Sequence, residues 1–188
     1  MRTIAAFLFL GLSAEAQLLS FGIRGGLPLT EAYSELTISQ SSGIQVFTES
    51  RGYAIGPMAE LHLPLGFSVE ADALYRPINL TTTQGISGAT TTPTNLNSWE
   101  FPVVGKYRFL HLPIVKPYVE GGPSFRYVGA GNFSSAGFIL GLGVEIKIGR
   151  IRIEPDIRYD RWGADAQSVS AYPPSQLNQA EFLVGIAF

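Results

Sequence analysis

Apolar and polar residues alternate with a period of two through eight successive segments of this chain, and such a pattern calls for strands with two unlike faces. Residues 20–29 set Phe21, Ile23 and Leu27 against Arg24, and residues 53–63 set Ile55, Ala59 and Leu61 against Glu60 and His62. In 67–78, Phe67, Val69, Ala71, Ala73 and Tyr75 oppose Glu70, Asp72 and Arg76; in 99–109, Trp99, Phe101, Val103, Tyr107 and Phe109 oppose Glu100, Lys106 and Arg108. Residues 118–128 place Val119, Phe125 and Tyr127 opposite Glu120 and Arg126, and 138–148 place Phe138, Leu140, Leu142, Val144, Ile146 and Ile148 opposite Glu145 and Lys147. The cleanest segment is 151–160, with Ile151, Ile153, Ile157 and Tyr159 on one face and Arg152, Glu154, Asp156, Arg158 and Asp160 on the other. The last, 180–188, sets Ala180, Phe182, Val184, Ile186 and Phe188 against Gln179 and Glu181.

Eighteen of the chain's 28 charged residues fall on that one polar face, ten acids against eight bases. A face open to water has no need of so close a balance. A small closed lumen does, because buried charge is tolerated only when it is paired and hydrogen-bonded. The opposite face is almost free of charge and rich in Phe, Ile, Val, Leu, Trp and Tyr, as a wall against lipid must be. The expected fold is all-β, an eight-stranded antiparallel up-and-down transmembrane β-barrel. Its expected site is a structural charge network in the lumen: Arg24, Glu60, Glu70, Asp72, Arg76, Glu100, Lys106, Arg108, Glu120, Arg126, Glu145, Lys147, Arg152, Glu154, Asp156, Arg158, Asp160 and Glu181.

The connections agree with this. Residues 28–51, 79–97 and 163–175 are long and polar, and 129–134 is a modest fourth; between them fall the short links Pro64-Leu65-Gly66, 111–116 and Gly149-Arg150. Short turns at one end and longer loops at the other are the habit of outer-membrane barrels. Phe67, Trp99, Phe109, Tyr127, Tyr159 and Trp162 stand near strand ends, where interfacial aromatics are expected. Pro57, Pro102, Pro123 and Pro155 fall where strands are expected, and Pro57 and Pro155 are expected to mark bulges or strand boundaries.

At the N-terminus, Arg2 precedes an apolar run from Ile4 to Leu12, and Ser13-Ala14-Glu15-Ala16 supplies an Ala-x-Ala cleavage site. Residues 1–16 are therefore expected to be a signal peptide and 17–188 the barrel. Nine apolar residues are too few to span a bilayer, which needs about 20.

Where Trp99 to Phe109 (WEFPVVGKYRF) is followed by Lys116-Pro117-Tyr118-Val119-Glu120-Gly121-Gly122-Pro123, the chain resembles the bacterial outer-membrane β-barrel domain family that includes PorT-like proteins. That family pattern is a Glu-Ile-Pro strand leading to Lys-Tyr, then a Lys-Pro-Tyr strand with Gly-Pro; Phe101 here replaces the Ile. Gly141-Leu142-Gly143-Val144-Glu145 and Arg158-Tyr159 are also similar, and the architecture resembles small OmpA, OmpX and OmpW barrels. Phe182, Val184, Ile186 and Phe188 resemble the C-terminal signal read by the barrel-assembly machinery. The resemblance implies a location in the outer membrane of a Gram-negative bacterium, with membrane lipid and that machinery as partners, and no catalytic set.

Charged residues make up only 15% of the 188, with a net charge of -2 and no cysteine, which excludes a basic nucleic-acid surface, disulfides and thiolate chemistry. His62 and His111 are the only histidines and have no neighbouring ligand set, so no metal or cofactor is expected. No Gly-x-Ser-x-Gly marks a nucleophile. Gly129-Ala130-Gly131 and Gly141-Leu142-Gly143 open no dinucleotide site. Glu154, Asp156 and Asp160 share their face with Arg152 and Arg158, which favours ion pairs over acid-base catalysis. The function expected is a structural or surface-interaction role, without enzymatic activity, with extracellular loops as the working surface for an unidentified ligand. The alternatives are a narrow channel or lateral transporter for small molecules, a soluble lipocalin-like carrier with its faces reversed, and a barrel enzyme.

Overall fold

The computed structural model describes residues 18–30, 36–40, 43–50, 52–84, 90–110, 112–128, 133–163 and 176–188; the expected signal segment 1–16, His111 and Gly129-Ala130-Gly131 lie outside them. No described helix is long and apolar enough to cross a membrane. The described chain forms β1 (Leu19–Pro28), β2 (Leu36–Gln40), β3 (Gly43–Ser50), β4 (Ala54–His62), β5 (Phe67–Asp72), β6 (Leu74–Gln84), β7 (Thr90–Arg108), β8 (Val115–Val128), β9 (Phe133–Ile148), β10 (Ile151–Trp162) and β11 (Asn178–Ala187). One turn of 3-10 helix, Pro64–Gly66, joins β4 to β5.

Eight antiparallel staves make the barrel: β3 with β4 and β5 with β6 are each one stave split in two, and β2, which pairs only with β3, is an extension beyond the eight. β5 and β6 face β7 in a single register, Ala71 opposite Val103 and Leu74 opposite Glu100. β3 and β4 also follow one line, but between the pairs Ser50–Asn79 and Ile55–Tyr75 five steps of one stave face four of the other. That is a one-residue bulge. Gly52 lies in it, where a Cβ would come within 2.6 Å of the Pro77 carbonyl oxygen, so only glycine lets the staves approach this closely.

β1 pairs with both β4 and β11, which closes the sheet and leaves the barrel no edge. The register can be followed once around the wall, from Leu19 to Leu61, Val69, Gly105, Gly121, Leu140, Tyr159 and Ala180. Ala180 then accepts the backbone N–H of Leu29, ten residues above the start on the first stave. With a rise of about 3.3 Å per residue and strands about 4.8 Å apart, this stagger tilts the staves about 41° and gives a backbone cylinder of about 8 Å radius. The same climb is about 25 Å along the axis, the height of an outer-membrane apolar band.

Two sequence expectations need correction. The loop expected over 79–97 is mostly strand: β6 continues to Gln84 and β7 begins at Thr90, with Thr81 opposite Pro93 and Thr82 opposite Thr92. β3 pairs with that extension and β2 with β3, so part of 28–51 is strand as well. β-branched threonines favour strands, and these stretches lack the apolar-polar alternation that marks the other strands. Pro57 and Pro155 make no bulge either. Pro57 faces Ile23 and Pro155 faces Val184 without a slip, and on their other sides the ladders are interrupted but resume in the same register, the break between β5 and β6 lying opposite Pro57.

Polarity is the reverse of a soluble domain's. Among the described residues 22 polar or charged ones are buried and only ten apolar ones, whereas Phe21, Ile23, Val103, Leu140, Leu142 and Ile157 are exposed on the outer wall. Aromatic pairs mark the two ends of this wall: Phe67 with Tyr107, centroids 4.7 Å apart, near the short turns, and Tyr75 with Trp99, 5.4 Å apart, near the extended hairpins. Trp162 does not belong to these girdles. It is buried inside the barrel, with the Arg126 guanidinium 3.9 Å from its ring centroid.

Candidate functional site

Inward-facing side chains fill the lumen in three layers. At the centre, Arg24 reaches from β1 to Glu70 at 2.8 Å, Glu154 at 3.5 Å and Asp72 at 3.6 Å, and donates to Asp156. Arg158 on β10 spans the opposite side, donating to Glu120 at 2.6 Å, Asp72 at 2.7 Å and Glu70 at 2.8 Å. The Lys106 ammonium lies between Glu70 and Glu154, at 2.6 and 2.7 Å, and 4.7 Å from the centroid of Tyr118. Tyr118 donates to Asp156 at 3.2 Å. Arg24, Lys106, Arg158 and Tyr118 are each no more than 1% exposed, so the middle of the lumen is closed.

Toward the hairpin end, Arg126 donates from Nε and Nη2 to Glu100 at 2.9 and 2.7 Å and from Nη2 to Gln179 at 2.6 Å. Arg76 joins Glu181 at 3.2 Å and Glu100 at 3.6 Å. Asp160 is buried in this layer, and its Oδ1 accepts no hydrogen bond. At the short-turn end, Arg108 binds Glu60 and Glu145, each at 2.6 Å, and donates to Ser68 at 2.8 Å. Arg152 binds Glu60 at 2.9 Å and His62 Nε2 at 2.7 Å, and donates to Ser20.

The register explains why charges must cross the lumen. Glu60 stands directly opposite Glu70 on the neighbouring stave, a like-charge pair that is unfavourable by itself. Bases from other staves, Lys106, Arg108 and Arg24, reach across and offset it. The carboxylates of Glu60, Glu70 and Glu154 approach one another closely enough to hold a metal ion, all within 4.8 Å. Lys106 occupies the place such an ion would take between Glu70 and Glu154. Small residues make room for the network: a Cβ at Gly141 would lie 2.6 Å from Glu120 Oε1, and one at Gly143 2.6 Å from the Tyr118 hydroxyl.

Seventeen of the eighteen expected lumen charges are buried. Lys147 is the exception and is exposed at the mouth, where β9 ends at its turn and water reaches the side chain. Residues absent from the expected network also take part. Tyr118, Ser20, Ser68 and Trp162 face inward, and Lys116 pairs with Glu145 at 3.1 Å. Even-numbered positions on β8 and β10 point inward, a parity that places Tyr118 with Glu120 and Trp162 with Asp160. Phe182, Ile186 and Phe188 are exposed along β11, with Val184 half-buried.

A closed sheet with an apolar outside and an ionic inside is the architecture of a transmembrane β-barrel. The chain matches the outer membrane protein beta-barrel domain over residues 3–188 and belongs to that family. The match is to the barrel domain as a whole and does not single out PorT-like members. No curated protein matches. Among solved structures, the outer membrane protein OprG from Pseudomonas aeruginosa superposes with a TM-score of 0.57 at 12% identity, covering 90% of this chain and 95% of that one. Neisserial surface protein A (NspA) gives 0.53 at 15% identity, with the same coverage of 90% and 95%. At such identities the likeness is one of fold, an outer-membrane barrel.

Proposed function

We propose that this outer-membrane barrel is closed to solutes and serves as a structural and surface-interaction protein, without catalytic activity. The observation that carries the reading is the middle layer, where Arg24, Lys106, Arg158 and Tyr118 fill the cross-section and are held by five carboxylates. Opening it would separate several buried ion pairs at once, at about 3–5 kcal/mol for each charge left alone. The working surface is then the hairpin end, where β2, β3 and the upper parts of β6 and β7 extend the sheet beyond the girdle of Tyr75 and Trp99. In this reading residues 1–16 direct export and are cleaved, the assembly machinery reads Phe182, Val184, Ile186 and Phe188, and an extracellular ligand meets the hairpins.

A second reading, a lateral path for small apolar molecules, draws on a groove of about 480 Å³ in the outer wall. Gly105 and Gly121 leave it open between Phe67, Tyr107, Val119 and Leu140. One experiment separates the two. Folded into a planar bilayer, the closed barrel passes no steady ion current, and cells carrying it take up small apolar solutes no faster than cells without it. A stable conductance, or uptake that depends on the protein, overturns the first reading.

A further inference from the structure

The lumen charges are unevenly distributed along the axis. Above Glu60 and Glu145 the interior holds eight buried carboxylates against five buried bases. The mouth at the short-turn end reverses this: a cavity of about 570 Å³ gathers Arg108, Lys116, Lys147, Arg150 and Arg152 around Glu145, with Glu60 just above. Five of the chain's thirteen Lys and Arg residues thus crowd one opening.

Ion pairing leaves part of this charge uncompensated. Arg108 and Arg152 are committed to Glu60, Glu145 and Glu154, and Lys116 shares Glu145 at 3.1 Å while remaining partly exposed. Lys147 and Arg150 are exposed and have no ion pair among the described residues. Lys147 stands directly opposite Arg152 in the β9–β10 ladder, a like-charge pair that is unfavourable unless an anion lies between them. A terminal carboxylate at Phe188, which sits at the lip, would remove one positive charge and leave the sign unchanged.

We propose that this mouth, at the short-turn end that outer-membrane barrels turn toward the periplasm, is a binding site for a phosphate-bearing anion. Lys147, Arg150 and Lys116 would provide the donors, and Arg152, held by Ser20 and Glu60 behind them, adds positive charge to the site. The cavity admits a diphosphate or a single lipid headgroup. The exposed Leu63, Phe67 and Phe188 at its edge adjoin the lipid-facing wall, so the phosphate can come from a free solute or from a phospholipid of the inner leaflet.

The test is calorimetric titration of inorganic pyrophosphate into the full folded chain in zwitterionic detergent, beside a second arm in vesicles of phosphatidylcholine with or without phosphatidylglycerol. Wild type gives saturable binding that weakens with salt. The variant Lys147→Glu/Arg150→Glu, altered at two exposed positions, loses about tenfold or more in affinity. Arg161→Glu, an exposed change near the other end, leaves binding unchanged, and boiling-dependent gel mobility shows that each variant is folded. Competition by phosphatidylglycerol identifies a headgroup as the ligand; undiminished pyrophosphate binding in its presence identifies a free anion. Absence of saturable pyrophosphate binding in phosphatidylcholine together with no effect of phosphatidylglycerol overturns the proposal. So does binding that the double charge reversal leaves intact.

Discussion

Replacing Arg158 with alanine removes a cation that hydrogen-bonds three carboxylates and lies 3.5 Å from a fourth, Asp156. The side chain is 1% exposed and donates to Glu120, Asp72 and Glu70 at 2.6, 2.7 and 2.8 Å. Hydrogen bonds to charged groups are worth about 1.5–3 kcal/mol each, but three bonds to one guanidinium are not additive. The governing cost is buried negative charge left without its partner, about 3–5 kcal/mol. Arg24 still holds Glu70 and Asp72, at 2.8 and 3.6 Å, so Glu120 is the group most exposed to the loss. With a urea dependence of about 2 kcal/mol per molar, the unfolding midpoint in lipid vesicles should fall by about 2 M. Adding Glu120→Gln to Arg158→Ala should recover part of that loss, since the amide needs no counterion. An unchanged midpoint for Arg158→Ala, or further destabilisation by Glu120→Gln, would refute the reasoning.

Leu142 stands on the outer wall at 64% exposure, roughly midway up it, and Leu142→Arg should cost about 2–4 kcal/mol in the same unfolding assay, whereas Leu142→Phe should be close to neutral. Gly143→Ala drives a methyl to within 2.6 Å of the Tyr118 hydroxyl and 2.7 Å of Asp156 Cβ, and should lower stability by about 1–3 kcal/mol through overpacking. Trp162→Ala removes the ring beneath Arg126 and should lower the unfolding midpoint; Trp162→Leu, which keeps apolar volume but no π face, should restore only part of it.

The alternation of Ile151, Ile153 and Ile157 with Arg152, Glu154 and Arg158 makes β10 legible residue by residue, because lipid on one side and a narrow lumen on the other impose opposite demands on neighbours. That constraint ends with the membrane. Thr90 to Asn97 and Asn79 to Gln84 pair as strands without alternating, so composition alone suggests a loop. Parity, more than residue type, decides which way an aromatic points: Trp162 has the chemistry of a girdle residue and the position of a lumen one. Lys147 has the right parity and lies too near the turn to be enclosed. Which charges meet is beyond any single segment. The join of Arg24 to Glu70 and Asp156 is fixed by the ten-residue stagger of the whole barrel, and stagger is a property of closure rather than of one strand.

The central claim is that the apolar face looks outward and the charges look inward. Its most direct test is electrophoretic mobility of the protein from isolated outer membranes, unboiled against boiled in mild SDS. A folded barrel sealed by its lumen network keeps its shape in unboiled detergent and migrates apart from the heat-unfolded chain. A single mobility, with the protein recovered in the soluble periplasmic fraction, would contradict the account and turn the wall inside out.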